Sequence, residues 1–119
     1  MNKNFAVTSE MHSNGCCVVH LAGYLDAHTA TQLEETIHAV ITQGCTRIVV
    51  DFADLEYISS AGLGVFMVFI ESVRAVRGDI KLAAMKPKVF TVFDLLGFPV
   101  LFEIHPSVES ALDNFSHDA

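Results

Sequence analysis

Ile48-Val49-Val50-Asp51, leading through a short loop to Tyr57-Ile58-Ser59-Ser60-Ala61-Gly62-Leu63-Gly64, is the stretch on which the fold of this chain turns. Thr46 to Asp51 is an almost unbroken apolar run, the form taken by a strand covered on both faces. The two serines then stand where a helix begins. A hydroxyl at that place meets backbone N–H groups without intrahelical partners, at the positive end of the helix dipole. Two roles are open to it. It can act as an ordinary N-cap, or it can carry a phosphate, whose charge both features favour.

Downstream, the serine-headed helix is predicted to run to about Arg77. With a start near Ser60, its core stripe is Leu63, Phe66, Met67, Ile70 and Val73, widened by Val65, Phe69 and Val76. Gly78-Asp79 turns the chain into a strand from Ile80 to Ala84. Pro87 suits the first turn of a further helix, in which Val89, Val92, Phe93 and Leu96 share a face before Gly97 ends it. Val100 to Ile104 reads as a last strand, and Ser107 as the cap of a C-terminal helix carrying Ala111, Leu112 and Phe115.

Upstream, Phe5 to Ser9 and Cys16 to Leu21 read as strands joined around the turn-forming Ser13-Asn14-Gly15. Cys17, Val19 and Leu21 alternate with Val18 and His20, which predicts one buried face. Gly23 to His28 reads as a polar loop. Thr29 opens a helix with Gln32 placed for a capping box; Ala30, Leu33, Ile37, Val40 and Ile41 fall on one stripe, and Gly44 closes it. The order β-β-α-β-α-β-α-β-α implies right-handed crossovers and a parallel core, with the first two strands antiparallel. The expected fold is α/β: one domain with a mixed sheet of about five strands packed against about four helices.

At 119 residues the chain has room for one proper core, and with 51% apolar residues it is not a disordered segment. Its most apolar stretches include Leu63 to Ile70 and Val89 to Leu96, each far short of a membrane span. Met1-Asn2-Lys3-Asn4 lacks a basic region followed by an apolar core, so the expected location is the cytoplasm. Seven basic residues against fourteen acidic ones give a formal charge of −7. That balance argues against direct nucleic-acid contact and suits a partner of positive charge. Cys16, Cys17 and Cys45, odd in number and two of them adjacent, read as buried reduced thiols.

The remaining constellations favour bland readings. His12, His20, His28, His38, His105 and His117 lack the short spacing of a zinc site, and His28 reads as a solvated loop residue near the serines. No Gly-x-Ser-x-Gly elbow accompanies Ser60, which argues against a hydrolase triad with Asp26. Gly62-Leu63-Gly64 has neither a Walker lysine nor the dinucleotide spacing. Phe90, Phe93, Phe98 and Phe102 read as core or near-core aromatics. Lys81, Lys86 and Lys88 read as a solvated basic face, and Asp51 and Asp54 as loop punctuation at a strand end.

Several landmarks coincide. Leu21-Ala22-Gly23-Tyr24-Leu25-Asp26 precedes the first helix, Ile48-Val49-Val50-Asp51-Phe52 precedes the serine block, and Leu95-Leu96-Gly97-Phe98 comes near the end. Together they resemble a STAS-domain protein of the anti-sigma factor antagonist type. The resemblance covers essentially the whole chain and implies one STAS domain over residues 1–119, with a core at about 5–115.

This resemblance implies a bacterial, cytoplasmic, non-enzymatic partner switch with no cofactor, no metal, and no membrane or direct nucleic-acid contact. The implied partner is an anti-sigma factor that is also a serine kinase of the GHKL ATPase type. The unphosphorylated antagonist binds it, phosphorylation of one serine at this helix start releases it, and a PP2C-type phosphatase restores binding. Alignment on Gly62-Leu63-Gly64 puts the acceptor at Ser60. Ser59, where many members carry aspartate, is the alternative acceptor, and Ala61 takes the place of a second serine or threonine. Asp26 corresponds to the family's acidic loop residue near the phosphosite. Two other roles fit the same family: a non-phosphorylated STAS adaptor in a signalling or transport complex, and a STAS domain that binds a small ligand or nucleotide at this helix end.

Ser60, Gly64, Val68, Glu71, Ser72 and Ala75 fall on the half of the helix away from the core stripe. The expected partner face is made of Asp26, Ser59, Ser60, Ala61, Gly62, Gly64, Val68, Glu71 and Ser72. Gly64 there either spares an approaching partner a side chain or lets another part of the chain pack closely. Val68 is either part of the contact or a stray surface apolar residue.

Overall fold

The computed structural model describes residues 4–12, 15–97 and 101–117. Among them run β1 (Phe5–Met11), β2 (Cys16–Leu25), α1 (Ala30–Thr42), β3 (Arg47–Ile58), α2 (Ser60–Ala75), β4 (Asp79–Ala83), α3 (Pro87–Leu95), β5 (Ile104–His105) and α4 (Val108–His117). The strands form one sheet in the order β1-β2-β3-β4-β5. β1 is antiparallel to β2, and each later pair is parallel. This is the expected mixed sheet with a parallel core. No helix among the described residues is long and apolar enough to cross a membrane.

Alternation along the strands sorts two cores. Cys17, Val19 and Leu21 of β2, Ile48, Val50 and Phe52 of β3, and Ile80 and Leu82 of β4 pack with Leu33 and Ile37 of α1, Phe66 and Phe69 of α2, and Val89 and Phe93 of α3. Cys16, Val18, Val49 and Ala83 pack with Ala111 and Phe115 of α4 in a smaller cluster. Val18 is therefore buried as well, against the expectation of one buried face for β2. The second layer comes from the far end of the chain. All three cysteines are free and buried.

The central strands are longer than the sequence suggested. β3 continues from Asp51 to Ile58 and β2 from Leu21 to Leu25, so the loop expected before the serines and the first half of the loop expected from Gly23 to His28 are paired sheet. Asp51 does not punctuate a loop. It sits within β3, where its Oδ2 lies 2.7 Å from Nδ1 of His20. The pairing passes two irregularities, between His20 and Ala22 and between Gly23 and Tyr24. Gly23 has φ +91°, and a Cβ there would stand 1.9 Å from the carbonyl oxygen of Asn4. Only glycine allows both this conformation and this approach.

At the other edge, β5 is only Ile104–His105, shorter than the expected Val100 to Ile104; Val100 lies outside the described residues, as do Phe98, Ser13 and Asn14. Leu96, expected on the buried face of α3, is its exposed C-cap. Phe93 and Phe102 are core aromatics, whereas Phe90 is exposed. Met67 and Val76 are exposed because the buried arc of α2 centres on Gly62, Phe66, Phe69 and Val73, and the helix stops before Val76. Lys81 departs furthest from its expected solvated place. It is fully buried on the α4 side of β4, with Nζ 3.0 Å from Oε1 of Glu103, hydrogen-bonded to Asn114, and 4.6 Å from the centroid of the Phe115 ring. Lys86 and Lys88 stay at the surface and share Glu56, whose carboxyl their hydrogen bonds hold down to about 2.

Candidate functional site

The site forms where β2 and β3 end side by side. Leu25 and Ile58 are register partners, so the segments that follow them emerge together at the carboxyl edge of the parallel strands. The N–H of Ser59 then donates to the carbonyl of Leu25 at 2.9 Å, which fixes the head of α2 against the loop that opens at Asp26.

That loop is held by Asp26. Its Oδ1 accepts the N–H of His28 at 2.9 Å and of Thr29 at 3.2 Å, and its own carbonyl accepts the N–H of Ala30 at 2.9 Å. The capping box expected of Thr29 and Gln32 is replaced by this arrangement. The Thr29 hydroxyl accepts from the N–H of Asp26 and donates to the carbonyl of Tyr24, both at 2.9 Å, so it is committed to the loop and makes no cap hydrogen bond to α1. Gly44 closes α1 as expected, with the N–H of Cys45 reaching the carbonyl of Val40. Asp26 is only 6% exposed, so its carboxylate shapes the loop from within.

The two serines have separate places. Ser59 is extended (φ −103°, ψ 170°), and its Oγ accepts the N–H of Gly62 at 3.3 Å. Its carbonyl accepts the N–H of Leu63 at 3.1 Å, the first helical bond. Ser59 is therefore the N-cap, and Ser60 the first residue inside the helix. Ser60 is exposed in the first turn, where a helix start leaves backbone N–H groups without intrahelical partners. A phosphate there would gain from both the free donors and the helix dipole.

Along α2, Ala61, Val68, Glu71 and Ser72 are exposed with Ser60, Gly64 is half-buried, and Gly62 is buried. The two glycines have opposite surroundings. A Cβ on Gly62 would lie 2.6 Å from Leu25 Cγ, whereas a Cβ on Gly64 would meet no heavy atom within 4 Å among the described residues. Close packing among the described residues therefore accounts for Gly62 and not for Gly64. Val68 is 63% exposed, and beside it α1 contributes Thr31, Glu34, Glu35 and His38 to one wall of an open groove. Reasoning from sequence did not include these α1 residues in the site. Their i, i+3, i+4, i+7 spacing on the polar side of α1 was the available signal. His28 is exposed on the Asp26 loop.

The STAS domain family matches residues 10–111. The chain is 36% identical over 102 residues to BtrV of Bordetella bronchiseptica, whose name describes a candidate anti-sigma factor antagonist, with 86% of this chain and 88% of that protein covered. Among solved structures, the anti-sigma factor antagonist SpoIIAA in its unphosphorylated form superposes with a TM-score of 0.81 at 29% identity, covering 94% of this chain and 97% of that one. The phosphorylated form of SpoIIAA, described as a Bacillus cell fate determinant, gives a TM-score of 0.71 at 29% identity, covering 92% of this chain and 99% of that one. A family match over most of the chain and relatives of this kind, on the strand-serine-helix geometry described above, lead to one conclusion: the chain belongs to the STAS-domain family of anti-sigma factor antagonists.

Proposed function

We propose that this protein is an anti-sigma factor antagonist that works as a phosphorylation-controlled partner switch. The unphosphorylated form binds an anti-sigma factor that is also a serine kinase of the GHKL ATPase type. Phosphorylation of Ser60 releases the partner, and a PP2C-type phosphatase resets the switch. The contact runs over Ser59, Ser60, Ala61, Gly64, Val68, Glu71 and Ser72, while Asp26 and Gly62 set the loop and the helix head beneath it.

The observation that carries this reading is the open space at Gly64 on the strip headed by the Ser60 hydroxyl. Glycine inside a helix costs about 1 kcal/mol relative to alanine, and no packing among the described residues offsets that cost. A second protein that approaches the helix backbone closely accounts for it. SpoIIAA, similar in fold, has been solved in phosphorylated and unphosphorylated forms, which is consistent with the same chemistry at this serine. A phosphate adds about −1.5 to −2 charge near neutral pH. The helix head tolerates that charge, so the fold need not change. At the interface the same group brings bulk and a dianion to desolvate, and a few kcal/mol suffices for a hundredfold change in affinity.

The test is incubation with the cognate kinase and ATP, followed by mass spectrometry and binding assays. The expected outcome is one phosphate, on Ser60. Ser60→Ala should bind the partner and resist modification, Ser60→Asp should bind weakly, and Val68→Arg should lose binding while keeping its fold. Equal partner binding by Ser60→Ala and Ser60→Asp would overturn the mechanism.

A further inference from the structure

The groove between α1 and α2 is lined by Thr31, Glu34, Glu35 and His38 on one side and by Val68 and Phe69 on the other, around a volume of about 530 Å³. Its surface is lopsided. Val68 stands open to solvent in an apolar floor, and the exposed Glu34 and Glu35 line the same groove. Glu71, one turn beyond Val68 on α2, is exposed as well.

Among the described residues, no ion pair balances these charges. α1 contains no Lys or Arg, and α2 contains only Arg74. Arg74 is engaged elsewhere, with Nε 3.0 Å from Oδ1 of Asp79 and Nη2 2.8 Å from the carbonyl of Leu101. Among the described residues, Glu34, Glu35 and Glu71 form no ion pair. An apolar floor between uncompensated carboxylates is complementary to an apolar side chain flanked by cations.

We propose that the docking face of α2 extends into this groove, and that the occupant is a basic amphipathic segment of the protein partner. An apolar side chain of that segment rests on Val68 and Phe69, and its Lys or Arg residues reach Glu34, Glu35 and Glu71. The inference rests on the reading of the α2 strip as the docking face and adds the chemistry of what docks there. The formal charge of −7 points the same way, since an anionic polymer or anionic lipid surface would be repelled.

One consequence separates the groove from the switch. Ser60 and Val68 are eight residues apart on one helix, roughly 12 Å along its axis at about 1.5 Å per residue. The Debye length at physiological salt is about 8 Å. A phosphate on Ser60 is therefore largely screened from the groove, and its residual effect on a basic segment is attraction. Release on phosphorylation must come from contact at Ser60 itself. The groove contribution should weaken with added salt, while the penalty at Ser60 should not.

The test uses the full chain, isotopically labelled for NMR, titrated with two synthetic helical peptides that share one leucine pattern. One carries arginine and the other glutamate at the flanking positions. The arginine peptide is expected to shift the amides of Glu34, Glu35, Val68 and Phe69 and to bind severalfold more weakly in high salt. Glu34→Lys combined with Glu35→Lys should weaken it about tenfold, equivalent to roughly 1.4 kcal/mol. A control with the same change in net charge, Asp94→Lys with Glu109→Lys, should bind as the parent does. Shifts centred away from the groove, equal binding of the glutamate peptide, or an equal loss in the control pair would overturn the proposal. Ser60→Asp should bind the arginine peptide within about twofold of the parent; a large loss there would also overturn it. If the cognate kinase leaves Ser60 unmodified while the peptide still maps to the groove, the phospho-switch fails and the groove stands. Phosphorylation of Ser60 without groove binding overturns the groove and leaves the switch in place.

Discussion

Gly62 rests directly on Leu25: a Cβ built on it falls 2.6 Å from Leu25 Cγ and 3.2 Å from the Leu25 carbonyl oxygen. One turn of sequence therefore holds two glycines with different causes. Gly62 lets the head of α2 sit on the end of β2, which brings the Ser59-Ser60 pair beside the Asp26 loop. Gly64 faces open space. Gly62→Ala should destabilise the fold by about 1–3 kcal/mol, because Leu25 is fully buried and has little room to yield. Gly64→Ala should stabilise the isolated protein by about 0.5–1 kcal/mol and weaken partner binding. Denaturant melts paired with a binding assay check both. A Gly64→Ala variant that is more stable and binds normally would remove the reason for a close approach.

The serine pair supports a second comparison. Ser59 Oγ is the cap, accepting from the N–H of Gly62, while Ser60 is an exposed residue inside the first turn. Ser59→Ala should cost about 0.5–2 kcal/mol of stability, and Ser60→Ala much less. Phosphate incorporation should show the reverse pattern, abolished in Ser60→Ala and retained in Ser59→Ala. Thermal melting and mass spectrometry on the same two variants read both quantities.

The far end of α2 carries a strained residue. The N–H of Gly78 donates to the carbonyl of Val73 at 2.7 Å, closing the helix with Arg77 in the left-handed position at φ +66°. The sequence suggested that Gly78 makes this turn. Instead Gly78 is held by close approach, since a Cβ there would stand 2.1 Å from the carbonyl oxygen of Thr46, and the left-handed residue falls one position earlier. Arg77→Gly relieves the side-chain clash but adds freedom to the unfolded chain, so a net gain of roughly 0.5 kcal/mol is expected. Urea melts of Arg77→Gly against Arg77→Ala check it, with the alanine variant showing no such gain.

Periodicity and turn chemistry made the order of elements, the antiparallel first pair and the serine-headed helix legible, because each depends on residues close in sequence. What was missed depends on partners far away. Lys81 looked solvated among Lys86 and Lys88, yet its companions are Glu103, Asn114 and Phe115, all from the last part of the chain. Asp51 looked like a strand end because its partner, His20, lies on a different strand. The far half of β3 escaped notice because the register shifts opposite Ala22 and Tyr24 break the two-residue alternation. The exposed strip of α2 could be read from helical spacing alone. The burial of Asp26 could not, since it follows from backbone N–H groups that only the folded loop brings to one carboxylate.

His20 joins three strands and sets a pH dependence. Its Nε2 lies 2.7 Å from Oε1 of Glu10 on β1, and its Nδ1 2.7 Å from Oδ2 of Asp51 on β3. Burial pulls its pKa down, but the hydrogen bonds to Glu10 and then Asp51 together outweigh that and hold it above the ordinary 6.5. Glu10 is held below its ordinary 4.5 by His20 first and then by His12. The histidine contribution to stability is therefore complete below about pH 6.5 and is lost as pH rises through the raised value. The glutamate contribution is complete above about pH 4.5 and is lost as pH falls through the lowered value. Both are present between these limits, so β1 should be pinned most firmly in mildly acidic solution. Hydrogen exchange of the β1 amides, corrected for intrinsic rates, should show protection falling as pH rises through the raised histidine value. His20→Gln should flatten that alkaline limb, and an unchanged profile in this variant would show that His20 does not set it.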